Sequence, residues 1–209
     1  MSQKDASLLK IRVYSDYICP FCYLSQKPLE EAAAQTGVEI EWLPFELRPY
    51  PAPASNLDPE YRAAVWLSSV LPLAERLGVL IKQPDIHPDP HTHLAHYGFQ
   101  FAKQHGLGRQ YHKAVFAAYF QEGRDIGRMD VLVDVAWQVG LDGSEFRTAL
   151  VDGRYAEAHR RALRAAFEAG VTAVPTFEIG SRMLRGVQPV ERLRQAIERE
   201  QAQGGPLWK

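Results

Sequence analysis

One short stretch sets the strongest limit on the fold: Cys19-Pro20-Phe21-Cys22, which holds the only two cysteines of the 209-residue chain. It lies between a β-type run, Leu8–Tyr14, and an alanine-rich amphipathic segment that extends to about Gln35. Cys19 is therefore predicted where a strand passes into the N-terminus of a helix. Pro20 fits the first turn of that helix, where no backbone N–H is needed and φ is already helix-like.

This placement has chemical consequences for Cys19. The N–H groups of a first helical turn and the helix dipole stabilise an anion, so the thiolate form of Cys19 is favoured over the thiol. The thiolate is the nucleophile in disulfide exchange. Cys22 follows three residues later on the same helical face. It is predicted to be the more buried thiol and to resolve a mixed disulfide formed on Cys19.

Two other interpretations of the cysteine pair remain open. A disulfide that closes a ring over so few residues removes little entropy from the unfolded chain, so it is a weak structural crosslink. A zinc site would need further ligands, and only histidines could supply them because the chain has no second cysteine pair. A C-x-x-C between a strand and a helix is typical of a redox pair, which is the interpretation favoured here.

Composition limits the partners and the compartment. The net charge is −1 and no basic block occurs, which argues against nucleic acid or an anionic membrane as the main partner. The first residues lack the apolar region of a secretory signal, and no apolar run is long enough to span a bilayer. A cytoplasmic location is therefore expected. A cysteine pair there is reduced or cycling rather than a permanent crosslink.

The remaining elements follow a simple order along the chain. Val38–Leu47 alternates as a second strand with one buried face, and the proline-rich segment Arg48–Pro59 is a connector. Residues 60–169 have a helical pattern, interrupted by a loop at Leu80–Pro90. A hairpin with strands Val174–Ile179 and Arg182–Val187 is predicted next, followed by a last helix after Pro189. Three helices are predicted to have N-caps, at Asp58, Asp130 and Ser144. Kinks are predicted at Pro28 and Pro72.

The predicted elements follow the order βαβ, then helices, then ββα. CPFC follows the first strand, and Val174-Pro175-Thr176 comes late in the chain. This arrangement is similar to the thioredoxin fold. The helical insertion resembles the DsbA group of thiol–disulfide oxidoreductases. Four segments resemble the cytosolic FrnE-like branch of this group: DYICPFCYL, WLPFELRP, HTHLAH and GVTAVPTFEIG. That branch is related to 2-hydroxychromene-2-carboxylate isomerase and the kappa-class glutathione transferases. The resemblance covers nearly the whole chain. It implies an α/β fold with residues 1–58 and 170–209 as a thioredoxin-like domain and 59–169 as an inserted helical domain.

The resemblance also implies roles for individual residues. Cys19 matches the nucleophilic cysteine and Cys22 the resolving one. Pro175 matches a proline held cis beside the active site, and Val174 would offer its backbone to an extended substrate. From the residues themselves, Pro20 and Phe21 are expected to set the environment of the thiolate and to contact substrate, although Phe21 could equally be a plain aromatic filler. The kappa transferases and the isomerase have serine where Cys19 stands, and this chain lacks the second cysteine pair of some FrnE-like relatives.

The favoured function is therefore thiol–disulfide exchange on protein or small-molecule substrates. It needs no bound cofactor, because the Cys19–Cys22 disulfide itself carries the electrons, and glutathione is a candidate substrate. A glutathione-dependent isomerase or transferase acting on an aromatic small molecule is one alternative. A metal-binding or redox-sensing protein is another. For assembly, a homodimer remains open.

Further polar residues have weaker signals. His87, His91, His93 and His96 form a dense tract that a divalent metal could bind, but their spacing implies no geometry, so a structural role is favoured. Asp16, just before the cysteines, is expected to stabilise the turn or to hydrogen-bond near Cys19, and a capping or turn role is favoured over proton transfer. The predicted second strand carries Glu39, Glu41 and Glu46, and the resemblance implies that one acid there could be buried near the resolving cysteine.

Overall fold

A computed structural model of the chain describes residues 10–53 and 58–203. Its four-stranded sheet has the order β2-β1-β3-β4, in which β1 and β2 run parallel and β3 runs antiparallel to both β1 and β4. The predicted order of two parallel strands followed later by a hairpin is confirmed. The strands are β1 (Lys10–Ser15), β2 (Glu39–Pro44), β3 (Thr176–Ile179) and β4 (Arg182–Arg185).

Helices make up most of the rest, and α2 to α8 occupy the segment between β2 and β3, where the insertion is predicted. An irregular loop joins α3 to α4, also as predicted. The helices are α1 (Pro20–Thr36), α2 (Pro59–Val65), α3 (Leu71–Leu77), α4 (His93–Gln104), α5 (Gly108–Phe120), α6 (Met129–Gln138), α7 (Gly143–Val151), α8 (Ala156–Glu168) and α9 (Val190–Ala202).

Several predicted boundaries are confirmed. Gly37 ends α1 in the left-handed conformation, with φ 71°, which favours glycine. Asp58 caps α2, because its carboxylate accepts the backbone N–H of Tyr61 at 2.9 Å. Pro28 lies inside α1, which continues through it as one helix. The start of the predicted first strand, Leu8 and Leu9, lies outside the described residues.

Two predicted N-caps are wrong. Asp130 lies inside α6, where its carboxylate accepts from the Arg128 guanidinium at 2.8 Å. Ser144 lies inside α7, and Asp142 caps that helix instead by accepting the Glu145 N–H at 2.8 Å. A cap needs extended backbone before the first turn, and Asp142 has it (ψ 112°).

A π-helical turn lies directly before Leu71 and Pro72, where a kink is predicted. Residues 66–70 join α2 to α3, and the Leu71 N–H donates to the Trp66 carbonyl five residues back. Pro72 has no N–H to continue an α-helical ladder. The wider π turn just before it allows the chain to remain helical through the proline.

The sheet separates two groups of buried side chains. Ile11 and Val13 of β1 join the large core, which α1 and α9 share, whereas Tyr14 belongs to a smaller cluster with Ala166 of α8 and Val171. This alternation is what a strand with both faces covered requires. Within residues 10–53 and 58–203, no helix combines the length and the apolar character that crossing a membrane requires.

Candidate active site

Cys19 lies at the N-cap of α1, where the backbone is extended (φ −86°, ψ 113°). Its N–H donates to the Asp16 carbonyl at 3.2 Å, which closes the turn after β1. Its own carbonyl accepts from the N–H groups of Cys22 (3.1 Å) and Tyr23 (3.2 Å). The strand-to-helix junction predicted from the sequence is therefore present, and the Cys19 thiol lies beside the positive end of the helix.

The two thiols are free and differ in burial. Cys19 has 5% of its surface exposed and Cys22 has none. Burial raises the pKa of the Cys22 thiol well above its usual value, and the adjacent Cys19 sulfur raises it further. Cys22 is therefore a neutral thiol at pH 7. The difference in exposure matches the predicted order of burial, while the roles of nucleophile and resolving thiol stay a prediction.

Val174 lies against Cys19, although 155 residues separate the two in sequence, and Pro175 follows it directly. The Val174-Pro175 peptide bond is cis, as the resemblance implies. The Cys19 thiol donates to the Val174 carbonyl at 3.6 Å, and the Pro175 carbonyl accepts the Gly186 N–H at 2.8 Å. Among the described residues nothing accepts the N–H of Val174. That donor is available to an extended chain placed across Cys19.

The helical insertion borders the same site. Pro20 and Phe21 are half-buried, and Phe21 packs against the large core. One turn further along α1, the Tyr23 hydroxyl donates to the Leu80 carbonyl at 3.1 Å and accepts from the Gln121 amide at 2.6 Å. The α3–α4 loop and the end of α5 are thus hydrogen-bonded to the helix that carries both cysteines.

Asp16 does more than stabilise a turn. It is fully buried, and its Oδ2 accepts the Leu47 N–H at 2.7 Å, which joins the active-site loop to the segment after β2. Its other oxygen, Oδ1, lies 3.9 Å from Nε2 of His96 and accepts no hydrogen bond within the described residues. This contact with the segment after β2 was not predicted from the sequence.

Glu46 is the buried acid among the three candidates, with 4% of its surface exposed. It forms a short hydrogen bond with Nε2 of His159 and accepts the Tyr50 N–H at 3.2 Å. Burial raises the pKa of Glu46, but the His159 hydrogen bond and the nearby His96 outweigh burial and leave that pKa below its usual value. Glu39 and Glu41 instead pair with Lys10 and Arg12 near the surface.

The histidine tract does not converge on one point. His87 is exposed, His91 and His93 contact the ring of Tyr50 (centroids 5.5 and 4.6 Å apart), and His96 is buried beside Asp16. In the part of the chain that the structure describes, no group of three or more His, Cys, Asp or Glu side chains is placed to hold a metal ion.

Two further buried histidines were not predicted. His112 stacks on Trp42 with ring centroids 4.0 Å apart, and its Nδ1 hydrogen-bonds the Tyr17 hydroxyl at 3.1 Å. His159 stacks on His96 at 5.4 Å. A signal for both existed in the sequence: His112 precedes Phe116 by four residues and His159 follows Tyr155 by four, so each lies on the apolar stripe of its helix.

Acid should destabilise the protein from about pH 6.5 downward. Burial lowers the pKa of His112 well below its usual value, and the nearby His96 and Lys113 lower it further. Below about pH 6.5, His112 therefore binds a proton in the unfolded chain but stays neutral in the folded chain. The free energy of unfolding is highest above this pH and falls as the pH drops. His112 alone should account for a loss of about 1.4 kcal/mol between pH 7.5 and 5.5. Urea unfolding at the two pH values measures this loss.

His112→Phe is the matched variant, because a phenyl ring keeps the stack on Trp42 and cannot titrate. It should have a smaller pH-dependent loss than the wild type, by about 1.4 kcal/mol. Burial also lowers the pKa of His159, more than the Glu46 contact raises it, so part of the acid loss should persist in His112→Phe. An identical pH dependence in the variant and the wild type would contradict the assignment to His112.

Comparisons with known proteins agree with this architecture. The family model of the DSBA-like thioredoxin domain matches residues 10–198. The uncharacterized protein YwbO of Bacillus subtilis (strain 168) is 46% identical over 195 residues, which cover 91% of this chain and 96% of YwbO. The 2-hydroxychromene-2-carboxylate isomerase of Pseudomonas putida is 26% identical over 190 residues, covering 89% of this chain and 93% of the isomerase.

A solved structure is similar over nearly the same extent. A probable DsbA oxidoreductase from Streptomyces coelicolor superposes with a TM-score of 0.82 at 26% identity, covering 96% of this chain and 93% of that one. The thioredoxin fold with a helical insertion, expected from the sequence, is thereby confirmed. The chain belongs to the family of DsbA-like thioredoxin-domain proteins.

Proposed function

We propose that this protein is a thiol–disulfide oxidoreductase in which Cys19 is the nucleophile and Cys22 the resolving thiol. The observation that supports the proposal most directly is the meeting of two free cysteines with Val174 and Pro175 at the start of α1. Family membership supports the same class of chemistry, because the relatives' names describe oxidoreductases and isomerases.

The reaction proceeds in two balanced steps. The Cys19 thiolate attacks one sulfur of a substrate disulfide, forming a mixed disulfide while the other substrate sulfur leaves with the bonding electron pair. Cys22 then attacks the Cys19 sulfur, which forms the Cys19–Cys22 disulfide and releases the second substrate sulfur. Two electrons pass from the cysteine pair to the substrate, and exchange of protons with solvent completes the substrate thiols. The reverse sequence oxidises a dithiol, and neither direction needs a bound cofactor.

The residues beside Cys19 would hold the substrate during these steps. Val174 contacts the Cys19 thiol, and its unused N–H can donate to the backbone of an extended peptide. Pro20 and Phe21, which follow Cys19, and Pro175, which follows Val174, would complete the substrate-binding surface. Because this donor belongs to the backbone, it recognises no particular side chain. The proposed substrates are therefore disulfides or thiols of proteins or small molecules rather than one defined compound.

Insulin reduction tests the proposal. With dithiothreitol as electron donor, the wild type should accelerate the cleavage of insulin disulfides. A variant with serine at both Cys19 and Cys22 should give the uncatalysed rate and serves as the matched control, since serine fits the same volume. A wild type no faster than this control would overturn the proposal.

A second candidate function is a glutathione-dependent isomerase or transferase that acts on an aromatic small molecule. The similarity to the Pseudomonas putida isomerase favours it. Against it stands the free thiol at Cys19, where the resemblance places serine in the isomerase. Calorimetry with reduced glutathione separates the two: tight binding by a protein that does not reduce insulin would support this candidate.

A further inference from the structure

A cleft of about 560 Å³ lies beside β2, the strand at one edge of the sheet. Cavities of roughly 300–1,000 Å³ are the usual size of ligand sites in proteins. Five consecutive residues, 38–42, line the cleft along the strand, and α1 lines it with Ala33 and Ala34. The remaining wall comes from α4 and α5, with Phe99 and Gly108. The cleft therefore follows the edge of the sheet itself.

The hydrogen bonds of the sheet show which backbone groups of β2 face away from β1. The two strands are parallel with Ser15 opposite Pro44, and the Phe45 N–H donates to the Ser15 carbonyl at 3.0 Å. Successive residues of a strand direct their N–H and C=O groups to alternate sides. The odd-numbered residues of β2 therefore bond to β1, whereas Ile40 and Trp42 direct their backbone groups outward. As far as the structure describes the chain, these outward groups form no hydrogen bond.

The sequence of β2 protects only one end of this edge. Pro44, the next outward residue after Trp42, has no N–H that a further strand could use. Ile40 and Trp42 keep both donor and acceptor, and both residues line the cleft. Alternating donors and acceptors along an edge are matched by the backbone of another extended chain.

The charges around the cleft are balanced. Each base that lines it lies close to an acid that also lines it: Lys10 beside Glu39 (3.2 Å), Lys103 beside Glu41 (3.9 Å) and Arg109 beside Glu30 (3.3 Å). A phosphate or another small anion would face as many carboxylates as bases, so charge does not select it. A polypeptide segment of low net charge suits this surface better.

The helices beside the strand limit what can enter. An open sheet edge commonly pairs with the edge of a second copy of the same protein. Here Ala34 of α1 and the α4–α5 corner, with Gly106 and Gly108, border the cleft. These walls leave room for one extended segment but not for the edge of a folded sheet.

We propose that the free edge of β2 binds an extended polypeptide segment of low net charge, which adds to the sheet as a further strand. Ile40 and Trp42 exchange hydrogen bonds with its backbone, and its apolar side chains, at every second position, pack on Ala34 and Phe99. Ala34 lies about four helical turns along α1 from Cys19, or about 20 Å. The site is therefore separate from the cysteine pair and does not depend on the proposed function.

Fluorescence anisotropy with a labelled six-residue peptide tests the site. The probe alternates valine with threonine between a terminal glutamate and a terminal lysine, so it favours an extended chain and is neutral. Ile40→Pro should weaken binding about tenfold, because it removes one outward N–H and no bond to β1. Pro44 shows that β2 accepts proline at an outward position. Ala34→Trp should abolish binding, because the indole fills the cleft.

Two controls separate edge pairing from other effects. Gln35→Trp adds the same ring to the neighbouring exposed position of α1, which does not line the cleft, and should bind the probe as the wild type does. The same peptide with N-methylated backbone amides cannot donate hydrogen bonds and should bind at least about tenfold more weakly. If Ile40→Pro does not fold, Ala34→Trp and the methylated peptide decide.

Three results overturn the proposal: a wild-type Kd weaker than about 1 mM, equal binding by Ala34→Trp, or equal binding of the methylated peptide. A concentration-dependent dimer that Ala34→Trp abolishes also overturns it, since a second copy would then occupy the edge. Neither Cys19 nor Cys22 takes part in these measurements. A wild type that binds the peptide but does not reduce insulin overturns the proposed function alone.

Discussion

Replacing Cys19 with serine should reduce disulfide exchange to the uncatalysed rate, whereas replacing Cys22 with serine should stop the reaction halfway. A serine hydroxyl is not ionised at neutral pH and cannot attack a disulfide sulfur, so Cys19→Ser removes the first step. In Cys22→Ser the attack by Cys19 remains possible, but no thiol can displace the substrate. A mixed disulfide should therefore accumulate to about one adduct per chain.

Mass spectrometry after incubation with glutathione disulfide measures both results. Cys22→Ser should carry one glutathionyl group on Cys19, Cys19→Ser should carry none, and the wild type should be recovered as the Cys19–Cys22 disulfide. The burial difference is the reason to expect one site of attachment, since Cys22 has no exposed surface. Glutathionylation of Cys22 in the Cys19→Ser variant, at the rate seen for Cys19, would contradict the assigned order of the two cysteines.

The general fold could be predicted because its parts have local signals. β1 has alternating buried residues, α1 begins at Pro20 and ends at Gly37, and the segment between β2 and β3 has a continuous helical period. These features depend on backbone sterics and on hydrophobic periodicity, which neighbouring residues determine. The prediction that Ser144 caps α7 was wrong because Asp142 and Ser144 are both good capping residues, and only the backbone angles distinguish them.

The site could be predicted only in part, for a physical reason. The cysteine pair is a local motif, but the polar contacts that extend from Asp16 bring together residues from distant segments. Glu46 and His159 are 113 residues apart in sequence and form one hydrogen bond. Burial of a histidine is decided by which helix faces it, and helical spacing alone could not show that His96 and His159 meet face to face.

The same limitation hides a close helix contact at Gly98, which leads to a further prediction. This glycine of α4 lies against α5 and α7: a Cβ atom built on it would overlap the Tyr111 hydroxyl oxygen and lie 2.6 Å from Cζ of Phe146. Both rings are fully buried and cannot swing into solvent. Gly98→Ala should therefore push the helices apart and destabilise the protein by about 2 kcal/mol, since overpacking costs about 1–3 kcal/mol.

The sign of this effect is the informative part, because alanine inside a helix is usually more stable than glycine by about 1 kcal/mol. Thermal unfolding should show a melting temperature lowered by about 4–8 °C.

Gly143→Ala is the control, because the added methyl would meet a Val133 methyl group at 3.2 Å, a contact that a small shift relieves. In the Tyr111→Phe background the penalty for Gly98→Ala should shrink, since the nearest clashing oxygen, which has no hydrogen-bond partner within the described residues, is gone. A penalty of the same size in both backgrounds would mean that α4 and α5 do not approach each other through Gly98 and Tyr111.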